Sequence, residues 1–352
     1  MYAMVYHNHT GKFLYILIVI TSICYAPVSW GGGTGKFLVL PNINGSYRSD
    51  PDEVDYEFAA DLFATFELNQ FRFLGEYFLS NEEQELERFQ LGLSFNSNLL
   101  WLGRFHNPIG YWNTQFHHGS FFETSISRPA IVEFEDDGGI LPLHQVGLLM
   151  EGAFNHGEQT LGYSMSIAAG PDFNNKLEPW DVLDPGSGTH DISTTLNLYL
   201  DPILSTSVLA GLFINYTEIP SDAIDVHDIQ QINFGIYGNW ESESWRLIAS
   251  SFYVYNEVNR LTRSEDGTFF SAYLQAEYNH SDNWIFYGRV EGTVGEGNDA
   301  YLALFPEYVE DKILGGIRYD FVSNNALKLE ISGNHTDEDD FAHVMLQWSA
   351  VF

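Results

Sequence analysis

Three arginines, Arg72, Arg88 and Arg104, recur at intervals of sixteen residues, and Arg289 and Arg318 stand in similar surroundings far along the chain. Between the two groups the segment 107–143 gathers Glu123, Glu133, Glu135, Asp136 and Asp137. Facing rows of guanidinium and carboxylate would set a field across a narrow, low-dielectric passage, ordering water and favouring polar solutes over apolar ones. The plainer reading is local: each arginine pairs with a nearby carboxylate, such as Glu57, Asp61, Glu67 or Glu76, and stiffens a wall. His106 and His144 bracket the same segment, which also holds His117 and His118. Four imidazoles with Asp136 or Asp137 suit Zn, Cu, Ni or Fe, although no short ligand spacing fixes a geometry. A pH-dependent charge is the milder role for them. The clusters Glu82–Glu83, Glu135–Asp137 and Asp337–Asp340 offer oxygen ligands for Ca²⁺; solvated loop charge accounts for them as well.

Hydrolysis finds less support. A nucleophile needs a base within hydrogen-bond reach, and the G-x-S-x-G elbow is absent. His343 and Ser349 share a face but lie six residues apart, roughly 20 Å along a strand. An enzyme is not expected.

The elements that position these residues are strands. Charged residues are 18% of the chain and aromatics 16%, and mean hydropathy is −0.14, which does not fit a helical membrane protein. Instead, apolar and polar residues alternate over segments of eight to twelve, giving strands with two unlike faces. In the last, Ala342, Val344, Leu346, Trp348, Ala350 and Phe352 oppose His343, Met345, Gln347 and Ser349. Leu327, Leu329 and Ile331 oppose Lys328, Glu330 and Ser332; Trp284, Phe286, Val290 and Val294 oppose Tyr287, Arg289, Glu291 and Thr293. Sixteen such segments run from 36–45 to 342–352. Short turns, such as Asn69, Asn96–Asn98 and Ser323–Asn325, alternate with longer connections at 46–53, 80–86, 107–143, 170–190, 217–228, 257–268 and 295–311. Trp101, Trp240, Trp245, Trp284 and Trp348 fall near strand ends, as interfacial girdles require.

The pattern predicts an all-β, transmembrane, antiparallel up-and-down β-barrel of about sixteen strands, with short periplasmic turns and long extracellular loops. An open edge in lipid costs several kcal/mol per orphan group, so the sheet must close, and at this strand number the lumen holds water. Phe63, Leu74, Phe78, Leu102 and Phe213 would narrow it. Residues 1–30 read as a signal peptide: Lys12 precedes the apolar run Phe13–Ala26, which contains the single cysteine, Cys24, and Pro27 follows. Residues 31–352 then form one barrel domain.

This architecture resembles the bacterial outer-membrane porin family over essentially the whole mature chain; a terminal aromatic such as Phe352 resembles the assembly signal of such proteins. The resemblance implies a Gram-negative outer membrane, lipid and lipopolysaccharide as surroundings, a homotrimer, and 107–143 as a third loop folding inward to constrict the pore. It implies passive diffusion of small hydrophilic solutes or ions and no resident cofactor. Arg72, Arg88, Arg104, Arg289 and Arg318 then line the pore opposite the acidic loop residues. The balance of 15 Lys and Arg against 48 Asp and Glu, a formal charge of −33, favours cations and disfavours nucleic acid. A substrate-specific or metal-binding channel using the loop histidines is one alternative; an outer-membrane hydrolase is the other.

Overall fold

The computed structural model describes residues 33–352 apart from 117–118, 136–137, 157–158, 184–187, 203–206, 296 and 298. The leader expected over 1–30, and His117, His118, Asp136 and Asp137, lie outside the described residues.

The first half supplies β1 (Thr34–Ser49), β2 (Asp52–Leu68), β3 (Phe71–Ser80), β4 (Gln84–Phe95), β5 (Asn98–His106), β6 (His144–His156) and β7 (Gln159–Ala169). A two-residue hairpin follows, β8 (Asp172–Phe173) with β9 (Leu177–Glu178). The second half supplies β10 (Ile192–Pro202), β11 (Ser207–Pro220), β12 (Val226–Glu241), β13 (Trp245–Arg260) and β14 (Ser264–Ser281). It ends with β15 (Trp284–Val294), β16 (Asp311–Val322), β17 (Asn325–His335) and β18 (Asp340–Ala350). All but β8 and β9 join one closed antiparallel barrel, each strand beside its sequence neighbour. Closure pairs β1 with β18, from Asn42 opposite Ser349 to Arg48 opposite His343. Phe352 adds two backbone bonds to Val39, so the terminal residue itself seals the seam.

The face pattern is inverted relative to a soluble sheet. Leu327, Leu329 and Ile331 are exposed, while Lys328, Glu330 and Ser332 between them are buried. The same holds on β15, where Phe286 and Val290 are exposed and Arg289 is buried. An apolar outside and a polar inside is the signature of a barrel solvated by lipid. At one rim the turns are tight, and Asn69, Asn96 and Asn324 occupy positive φ, which asparagine tolerates best among residues with a side chain. Trp245 packs on Tyr278 and Trp284 stacks on Tyr319 near this turn rim.

Three sequence expectations need correction. Trp101 is not a girdle residue: it is only 8% exposed and hydrogen-bonds Glu151, whereas Leu102, expected inside, is 57% exposed. Gly92, directly across from Trp101, leaves the space that its indole fills. The loop rim is also less loopy than expected. β1 and β2 meet at 50–51, β3 and β4 leave only 81–83 between them, and 217–228 and 257–268 shrink to 221–225 and 261–263. Beyond the lipid band both strand faces meet water, so alternation lapses while ladder hydrogen bonding continues. The long connections that remain on this rim are 107–143, 170–191 and 295–310.

Candidate functional site

Loop 107–143 folds into the barrel and crosses it. A short helix, Gly110–Gln115, lies against β11, β12 and β13. The loop is otherwise mostly irregular, so its backbone polar groups need partners from elsewhere. Charged side chains of the far wall provide them. Arg289 donates to the carbonyls of Ser127 (3.0 Å) and Arg128 (2.7 Å), and Arg318 to those of Phe121 (2.6 Å) and Glu123 (2.9 Å). Lys328 donates to the carbonyls of Ser120 and Ser125. The carboxylates work in the opposite sense. Glu330 accepts from the amides of Ile126 and Ser127, Glu291 from that of Ala130 (2.7 Å), and Glu277 from the Thr124 hydroxyl (2.9 Å).

The other side of the loop is apolar. Ile109, Trp112, Ile131, Val132, Ile140, Leu141 and Leu143 are each at most 1% exposed. They pack with inward residues of the wall, among them Phe213, Ile229, Ile248, Phe252, Val254 and Phe269, and with Tyr301 and Phe305 of the 295–310 connection. At roughly 1.5–3 kcal/mol for each buried side chain, this core holds the loop as a fixed part of the interior rather than a swinging flap. Phe213 thus lies inside as expected, but as part of a dry core. The remaining wall residues of this core were missed at the level of sequence. Their signal is present on β13, where Ile248, Phe252, Val254 and Val258 lie on one face and Leu247, Tyr253 and Tyr255 on the other. A strand apolar on both faces is buried on both.

Space remains on the opposite side. Beside the loop helix, a cavity is lined by Leu74, Arg88, Gln90, Trp101, Asn113, Gln115, Glu151, Ser164 and Asn197, among others. Towards the loop rim, a second space is bounded by Arg48, Glu133, Lys176, Glu307 and Lys312, with Phe305 and Tyr308. Residues of loop 107–143 line both. Glu133 is half-buried there; burial raises its pKa above the ordinary carboxylate range, and Arg128 and Lys312 pull it back.

The five expected pore arginines do not form one ladder. Arg88 lines the cavity, 2.5 Å from Glu76. Arg72 sits near the turn rim, 3.6 Å from Glu67 and donating to the carbonyl of Asn69. Arg104 is buried against the 170–191 connection, paired with Glu85 and donating to the Trp180 carbonyl (3.1 Å). Arg289 and Arg318 are the loop clamps, with Glu291 (2.7 Å) and Asp320 (2.9 Å) beside them. Among the described acidic residues of the loop, Glu123 is buried 3.9 Å from Arg128, Glu135 is fully buried at the loop base, and Glu133 borders an open space. Glu82, Glu83 and the run Asp337–Asp340 occupy exposed turns.

The structure brings His106 and His144 together as a directly paired couple across β5 and β6, ring centroids 5.0 Å apart. His144 lies between two carboxylates, Nδ1 2.8 Å from Glu135 and Nε2 2.9 Å from Glu87, with Phe134 stacked on the ring. Glu87, on β4, was not singled out from the sequence; nothing local marks it, since its partners are nineteen and fifty-seven residues away.

No protein-family model and no curated protein matches this sequence. Solved structures do. An anion-selective porin from Comamonas acidovorans is 13% identical with a TM-score of 0.62, over 91% of this chain and 100% of that one. The outer-membrane channel DcaP of Acinetobacter baumannii is 12% identical with a TM-score of 0.58, over 91% and 98%. The trimer form of OmpT, an outer-membrane protein of Vibrio cholerae, is 10% identical with a TM-score of 0.54, over 91% and 99%. The fold is therefore that of the porin-type barrels of the Gram-negative outer membrane.

Proposed function

We propose that the protein is a passive, non-enzymatic diffusion channel for small hydrophilic solutes and ions, cation-preferring and assembled as a homotrimer. The observation that carries this reading is the polar cavity beside the loop helix, lined by Arg88, Gln90, Asn113, Gln115, Glu151, Ser164 and Asn197, inside a closed barrel. Side chains of this kind keep water in a lumen, and a hydrated lumen passes polar solutes down their gradient. In this reading the path is narrow and runs along the β3–β7 wall, opposite the dry core of the β11–β14 side.

Cation preference is supported by where positive charge is held. Every described arginine except Arg48 stands within ion-pair distance of a carboxylate. Guanidiniums neutralised locally oppose the acidic surplus of −33 only weakly. The likeness to an anion-selective porin rests on the fold and carries no selectivity with it. The trimer is supported by the described form of a structural neighbour.

Planar-bilayer recording tests the reading. Purified barrel should give discrete conductance steps smaller than those of an unobstructed sixteen-stranded pore, and a cation-signed reversal potential in asymmetric KCl. An anion-signed reversal overturns the selectivity; a folded barrel that inserts without steps overturns the channel.

A further inference from the structure

The two stems of loop 107–143 meet at one buried cluster. His106 closes β5, His144 opens β6 directly opposite, and Glu87 reaches them from β4. None is more than 6% exposed. One side-chain donor atom from each of the three can be chosen so that all lie within 4.8 Å of one another. Nε2 of His144 is 2.9 Å, and Nε2 of His106 4.0 Å, from the same Glu87 oxygen. With metal–ligand bonds of about 2.0–2.2 Å, tetrahedral donors stand about 3.4 Å apart. These separations bracket that value, and movements within about 1 Å would seat an ion.

The surroundings orient the donors. Glu135 holds Nδ1 of His144 at 2.8 Å, and its other oxygen accepts the amides of Leu143 (2.6 Å) and His144 (2.9 Å). A carboxylate fixed in this way accepts a hydrogen bond from Nδ1–H and leaves the Nε2 lone pair directed at Glu87 and His106. Ligating histidines are held by this arrangement, which sets tautomer and ring direction together. A divalent ion would also balance two carboxylates buried around one imidazole. His106 borders the polar cavity, which gives an ion an entry path and leaves room for a water as fourth ligand.

We propose that Glu87, His106 and His144 bind one divalent transition-metal ion of the zinc class, with Glu135 as the residue that positions His144, and that the ion staples the two stems of the inward loop to the wall. Two nitrogens and one oxygen suit a borderline ion; Ca²⁺ and Mg²⁺ prefer all-oxygen sites. The rival arrangement is an imidazolium of His144 bridging Glu87 and Glu135 with no ion. The proposal does not depend on conduction.

The test uses untagged, full-length barrel in detergent, titrated with Co²⁺ and then Zn²⁺. Wild-type protein should take up one equivalent of Co²⁺ with tetrahedral visible bands that Zn²⁺ abolishes. His106→Gln and Glu87→Gln should each weaken binding at least tenfold while retaining the heat-modifiable mobility of a folded barrel. Glu135→Gln, which leaves all three ligands, should weaken it about 10–100-fold. His117→Asn with His118→Asn should leave it unchanged. If the ligand variants fail to fold, X-ray absorption of Zn²⁺-loaded wild-type protein decides, since it must show two imidazoles in the metal's coordination shell. Folded wild-type barrel without tetrahedral Co²⁺ bands, binding that survives His106→Gln, or a shell without two imidazoles overturns the site.

Discussion

The two sides of the barrel interior carry similar charged residues and use them differently. On the β14–β17 side, Arg289, Arg318, Lys328, Glu277, Glu291 and Glu330 hold the backbone and hydroxyls of loop 107–143. On the β3–β7 side, Arg88 and Glu76 pair within the wall, beside a cavity that the loop borders with Pro108 and the helical Asn113–Gln115. An inward charge on a barrel strand therefore does not by itself mark a pore. What decides its role is whether an irregular segment, with peptide groups in need of partners, lies opposite. The first side is a protein interior and the second a wet surface turned inward.

The largest expected effect comes from loosening the first side. Arg289→Ala removes the donor to two loop carbonyls and leaves Glu291 buried without its 2.7 Å partner. Breaking a buried pair costs about 3–5 kcal/mol. The variant should unfold at markedly lower denaturant, and its conductance should rise as the loop moves away. Unchanged conductance in a destabilised barrel would show that the apolar core alone keeps the loop in place.

Arg88→Ala sharpens the contrast. Its partner Glu76 can be rehydrated from the adjacent cavity, so the cost should be nearer 1–2 kcal/mol. Removing a cation from the path should shift the reversal potential further toward cations, with little change in stability relative to Arg289→Ala. Equal destabilisation by the two substitutions would remove the distinction between a dry side and a wet one.

The alternation made the sixteen strands legible, because lipid outside and water inside impose opposite requirements on adjacent residues. It failed where that opposition is absent. On β5 the run Leu99, Leu100, Trp101 and Leu102 is apolar throughout, so nothing sets its phase, and the assignment slipped by one residue. The site was less legible than the fold. His106 and His144 could be paired from hairpin geometry, but the clamps on the loop join residues some 160–200 positions apart. No local pattern predicts such partners. The acidic residues of the loop were expected to face an opening because the porin resemblance implies it; Glu123 and Glu135 instead satisfy groups within the loop.

A pH series probes the rim of the opening. Burial raises the pKa of Glu133 against the opposing pull of Arg128 and Lys312. Its folded pKa then exceeds its unfolded one, so the folded state holds the proton more tightly. The resulting stabilisation is full below the unfolded pKa and lost as pH rises through the folded value. The carboxylate also gains its charge later than exposed ones do. Cation preference should therefore keep rising with pH after the exposed carboxylates have ionised, and Glu133→Gln should abolish that last rise. A reversal potential with the same pH profile in both proteins would mean that Glu133 lies off the permeation path.

The comparison of two single donors is the most discriminating. Tyr301 donates to the Ile140 carbonyl at 2.5 Å inside the dry core, and Trp101 donates to Glu151 at 2.9 Å beside the cavity. Each substitution, Tyr301→Phe and Trp101→Phe, deletes one donor and keeps a ring. In the core no water can replace the lost hydroxyl, so the carbonyl is stranded and the cost should be about 1–3 kcal/mol. Beside the cavity a water can take the place of the indole N–H at little expense, and the cost should stay under about 1 kcal/mol. Stability is read from denaturant midpoints, with heat-modifiable mobility as the check on folding. If Trp101→Phe costs as much as Tyr301→Phe, water does not reach Glu151. A cavity that excludes water around a carboxylate does not conduct ions, so this one comparison bears on permeation without any measurement of current.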